Sequence, residues 1–194
     1  MGPMNAWTAL AAGLAAGGLH VLAGPDHLAA IGALSTDPRS RRGLLGFRWG
    51  SGHALGVLLV GLAAIGLRSF ADLAALERWG EALVGVSLVV AGVRALGSWR
   101  RPSAPHAGRW AAAFGTLHGL AGGSHLWGTL PALALPANGP AQAYLAAFCA
   151  SSVAVMTAFS FALGWARVGS RRWAVAAGSA SILLGIGWAA YALA

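Results

Sequence analysis

Residues 18–28 read Gly18-Leu19-His20-Val21-Leu22-Ala23-Gly24-Pro25-Asp26-His27-Leu28, and 98 positions later the chain runs Thr116-Leu117-His118-Gly119-Leu120-Ala121-Gly122-Gly123-Ser124-His125-Leu126. Both satisfy L-H-x-L-A-G-x-x-H-L in one ungapped block, and both sit inside runs apolar enough to span a bilayer. Charged side chains at membrane depth cost about 2.5 to 3.5 kcal/mol each on insertion scales, so a copied set of ligand-type residues there marks a site. The copying also marks an internal repeat.

Outward from these blocks, apolar runs fall at about 6–35, 44–67, 79–98, 109–135, 141–165 and 172–193. The composition agrees: 57% of the 194 residues are apolar and 9% charged, against roughly 25% charged in an ordinary soluble domain. Runs of about 20 residues without polar alternation indicate helices rather than a barrel, and 29 glycines suit helices that pack closely in lipid. The expected fold is therefore an all-α integral membrane protein of six transmembrane helices. Residues 1–194 read as a single membrane domain, with repeat one at 1–98, a linker at 99–108 and repeat two at 109–194. Three crossings per repeat force the second copy upside down, giving two inverted three-helix repeats, an architecture that places transport sites near the midplane.

All thirteen basic residues are Arg, and the net charge is +8. In a soluble protein this would suggest nucleic acid. Here Arg39, Arg41 and Arg42, then Arg100, Arg101 and Arg109, then Arg167, Arg171 and Arg172 follow alternate spans. The positive-inside rule makes those segments cytoplasmic and puts both termini outside a multi-pass plasma (cytoplasmic) membrane protein. No nucleic-acid partner is expected. The N-terminal stretch lacks a basic n-region and does not read as a cleaved signal peptide. The lone Cys149 excludes an internal disulfide and dithiol chemistry.

The candidate metal ligands are His20, Asp26, His27, His53, His118 and His125. His20 and His27, seven apart on an intact helix, would stand about 10.5 Å apart along its axis. Gly24-Pro25 lies between them, and proline both lacks a donor and clashes with the carbonyl of Val21 four residues back, so a break is expected. A broken helix can bring His20, Asp26 and His27 around one cavity. In the second copy Ser124 replaces Asp26, leaving a single carboxylate. Imidazoles with one carboxylate suit Ni²⁺, Co²⁺ or Zn²⁺ better than Mg²⁺, Ca²⁺ or Cu⁺. Asp26 is read as a primary ligand, with orientation of a histidine as its other available role. His106 reads as a solvated linker residue, Ser151 and Ser152 as small packing residues, and Glu77 and Glu81 as a solvated helix end.

His20-Val21-Leu22-Ala23-Gly24-Pro25-Asp26-His27, followed in the next span by Gly52-His53, resembles the nickel/cobalt transporter family. The His118-Gly119-Leu120-Ala121-Gly122 segment is similar to that of its short, six-span, urease-associated nickel permease relatives. The resemblance implies a secondary-type permease, not an enzyme, carrying Ni²⁺ or Co²⁺ into the cytoplasm as substrate, with no tightly bound cofactor. Its partners would be the divalent ion and the lipid bilayer, with homo-oligomerisation left open. A divalent ion entering a negative interior gains about 4.6 kcal/mol per 100 mV, so uptake needs no nucleotide. The rival readings are nickel/cobalt efflux, a bis-His membrane haem protein and, least favoured, an intramembrane hydrolase using Ser51 and His53, which point apart on one helix.

Overall fold

The computed structural model describes residues 5–36, 43–66, 73–98, 107–121, 138–166 and 170–194, and these form seven α-helices with no strand among them. They are α1 (Ala6–Ala23), α2 (Pro25–Leu34), α3 (Leu44–Gly66), α4 (Leu73–Ser98), α5 (Ala107–Ala121), α6 (Asn138–Trp165) and α7 (Arg171–Leu193).

Local chemistry sets the helix ends. Asn5 caps α1, its Oδ1 accepting from Thr8 N–H at 2.9 Å, and Ser170 Oγ accepts from Trp173 N–H at 3.2 Å to start α7. The first apolar run is broken where the sequence places Gly24-Pro25: Gly24 is extended (φ −86°, ψ 100°), as the residue before proline prefers. Pro25 then restarts the chain at the first position of α2, where a missing N–H costs nothing. Asp26 lies in that first turn, favourably placed at the positive end of the helix dipole. Helix α4 begins six residues ahead of the apolar run expected at 79–98. The second copied block is described only as far as Ala121, and Gly122-Gly123, which take the place of Gly24-Pro25, lie outside the described residues together with Ser124, His125 and His106.

Among the described residues four helical stretches are long and apolar enough to cross a membrane: Ala6–Ala23, Arg78–Gly97, Gly139–Trp165 and Arg171–Leu193. Helix α3 adds a shorter apolar stretch, Leu44–Val60. The outside is rich in large apolar side chains such as Leu19, Leu83, Val93 and Leu183, whereas many contact positions inside are Gly, Ala or Ser. That distribution suits a lipid surround, in which close backbone packing rather than burial of large side chains joins helices. Trp7, Trp110, Trp165 and Tyr191 stand exposed at helix ends, where interfacial aromatics anchor a membrane protein.

The main helix pairs are α1 with α6, α3 with α5, α4 with α7, and α3 with α6. Glycines fix their directions. Gly13 abuts the Tyr144 carbonyl and Gly17 that of Phe148, so α1 and α6 run parallel. Gly115 abuts the Trp49 carbonyl and Gly119 that of His53, so α3 and α5 also run parallel. Gly85 faces Gly185, and Gly92 faces Gly178, an antiparallel crossing of α4 and α7. Hydroxyls reinforce the contacts: Ser151 and Ser152 donate to the Leu14 and Gly17 carbonyls at 2.7 and 3.2 Å, and Ser181 to the Leu88 carbonyl at 2.8 Å. Glu81 accepts from the indole N–H of Trp188, tying α4 to α7 rather than standing as a solvated helix end.

Candidate metal centre

The break at Gly24 turns the last residues of α1 and the first of α2 toward one point. A Cβ on Gly24 would lie 2.8 Å from Asp26 Oδ1 and 3.0 Å from the His20 carbonyl, and closer still to His27 Nδ1. Only a residue without a side chain leaves the Asp26–His27 pair intact.

Three helices then converge on His27, which is 1% exposed. His27 Nδ1–H donates to Asp26 Oδ1 at 3.0 Å, and its Nε2 stands 3.2 Å from Nε2 of His53 on α3. From α5, His118 Nε2–H donates to Asp26 Oδ2 at 2.8 Å. His20, in the last turn of α1, sets its ring edge-to-face against His27, centroids 4.6 Å apart, and 5.7 Å from the ring of His53. His53, His118, His27 and Asp26 are all buried, while His20 is half-buried. The close approach of α5 to α3 through Gly115 and Gly119 brings His118 within reach of Asp26.

Among the described residues two overlapping groups could hold a cation: His20, His27 and His53, and Asp26, His27 and His118. Within each, one ligand atom per residue lies within 4.8 Å of the others. Of the six residues marked by sequence, five therefore meet in one cluster; the sixth, His125, lies outside the described residues. Ser51 is exposed while His53 is fully buried, so the two face opposite ways on α3 and form no dyad.

Trp49 was not among the marked residues. Buried at 1% exposure one turn before His53, it stacks on that ring (5.7 Å, 20°), meets His27 edge-on at 5.8 Å and lies 5.1 Å from His118. It walls one side of the cluster, and Phe148 of α6 flanks His20 at 5.4 Å.

Fold and site together define an all-helical protein with helices apolar enough to cross a membrane and a buried imidazole–carboxylate cluster among them. No protein-family model matches the chain, and no solved structure does. Among curated proteins it is similar to two from Arabidopsis thaliana. It is 30% identical over 185 residues to Chloroplast protein FOR GROWTH AND FERTILITY 1 (82% of this chain, 49% of that protein). It is 31% identical over 179 residues to Chloroplast protein FOR GROWTH AND FERTILITY 2 (82% and 47%). The chain spans about half the length of the curated relatives it matches.

Proposed function

We propose that the chain is a membrane permease for a divalent transition-metal ion, Ni²⁺ or Co²⁺, moving it into the cytoplasm. The observation that carries this reading is the gathering of His20, His27 and His53 from α1, α2 and α3 into one imidazole cluster beside the buried Asp26. Polar clusters of this kind are costly between apolar helices and are retained there for ion pathways.

The facing Nε2 atoms of His27 and His53, 3.2 Å apart on different helices, are placed so that one ion could draw on both.

The helix pairing supports two inverted repeats. Counting α1 and α2 as one broken first span, the first span of each half lies parallel to the second span of the other, α1 with α6 and α5 with α3, while α4 and α7 cross antiparallel. A pseudo-two-fold axis in the membrane plane produces that exchange. With the Arg-rich segments inside, both termini lie outside the plasma (cytoplasmic) membrane we propose for it; the relatives' names place those proteins in the chloroplast.

The test is accumulation of radioactive Ni²⁺ and Co²⁺ in cells expressing the chain. Uptake above empty cells that His27→Ala abolishes is the expected result. Lowered content relative to empty cells reverses the direction to efflux, and no change with either metal overturns the proposal.

A further inference from the structure

We infer a division of labour inside the cluster: His20, His27 and His53 hold the ion, and Asp26, backed by His118, is a positioning residue that makes no bond to it. The inference rests on the metal-transport reading above.

Both Asp26 oxygens are already engaged. Oδ1 takes the His27 Nδ1–H at 3.0 Å and Oδ2 the His118 Nε2–H at 2.8 Å. An ionised carboxylate only accepts, so each ring presents a proton to it, and a protonated ring nitrogen has no lone pair for a metal. That removes His27 Nδ1 and His118 Nε2 from the ligand set. It leaves neutral His27 with its lone pair on Nε2, the atom that faces His53. Carboxylate to imidazole to metal is the usual way an outer acceptor fixes a ligand's tautomer and ring direction.

The other group, Asp26, His27 and His118, would take an ion only by giving up both hydrogen bonds to the carboxylate. In the trio of His20, His27 and His53 the ion would take the place of the proton shared between the facing Nε2 atoms, a single hydrogen bond. Three neutral nitrogens suit a borderline divalent ion that is held and released, with the compensating negative charge one group behind them. His118 comes from α5 and His27 from α2, so Asp26 also straps the ion-bearing half of the chain to the other half.

The experiment is Co²⁺ titration into the detergent-purified full chain, followed by visible d–d absorption and X-ray absorption. The wild type is expected to bind one Co²⁺ with three imidazoles and no carboxylate oxygen. Asp26→Asn and His118→Gln should keep the band shape and the single ion at roughly 10- to 100-fold weaker affinity. His20→Ala and His53→Ala should change the band shape. A carboxylate oxygen on the wild-type ion, two ions per chain, or a band altered in Asp26→Asn overturns the division of labour while leaving metal binding intact. A wild type that binds neither Co²⁺ nor Ni²⁺ overturns the transport reading itself. The wild-type X-ray spectrum decides the question even where a variant does not fold.

Discussion

Gly24→Ala isolates the packing of the candidate site from its ligands, since it alters no polar group. Gly24 has φ −86° and ψ 100°, which alanine adopts freely, so no backbone strain is introduced. The added methyl falls 2.8 Å from Asp26 Oδ1 and even nearer His27 Nδ1, inside their hydrogen bond. If the pair parts, a bond to a charged group worth about 1.5 to 3 kcal/mol is lost. If the backbone moves instead, overpacking costs about 1 to 3 kcal/mol. Either way His27 loses its orientation, and loss of such a support weakens metal binding about 10- to 100-fold, or about 1.4 to 2.7 kcal/mol. The assay is Ni²⁺ titration of the purified protein beside thermal unfolding in the same detergent. Gly18→Ala is the matched control on the same helix, because its Cβ would meet only Ser151 Oγ at 3.2 Å and Val155 at 3.9 Å. Gly24→Ala binding Ni²⁺ within threefold of wild type at unchanged stability would refute the reasoning.

Two further outcomes follow from the packing. Gly85→Leu, whose Cβ would sit 2.5 Å from the Gly185 carbonyl, should force α4 from α7 and lower stability in a detergent unfolding titration by about 1 to 3 kcal/mol, while Gly187→Leu, with nothing within 4 Å, stays near wild type. Trp49→Ala should open a cavity costing about 3 to 5 kcal/mol in thermal unfolding and weaken Ni²⁺ binding, whereas Trp49→Phe, which keeps a ring against His53, retains most of both.

The break in the first apolar run was legible because Gly24-Pro25 carries its own backbone instructions, and Asp26-His27 was legible because a carboxylate within an apolar run demands a partner. Which partner it takes was not. His118 lies 92 residues away, and nothing in an apolar span of near-uniform hydrophobicity says which helix it will face. Trp49 escaped notice for a related reason: an aromatic in an apolar run is ordinarily core, and its role appears only when its ring is seen against His53, His27 and His118. The copied block suggested an internal repeat but not that the two stretches of chain interlock. That fact resides in contacts such as Gly17 on the Phe148 carbonyl, where a missing side chain lets one helix reach the backbone of another. Glu81 likewise looked like a solvated helix end until Trp188, 107 residues on, was found donating to it.

The exchanged helix pairing has a consequence for how the molecule is made. Among the described residues, α1, α3 and α4 each pack chiefly on a helix from beyond the middle of the chain. A chain that ends after α4 leaves those three helices without their principal neighbours and Asp26 without the ring of His118, so complete packing requires the second half. Supplied as separate polypeptides, the halves should survive only in each other's company.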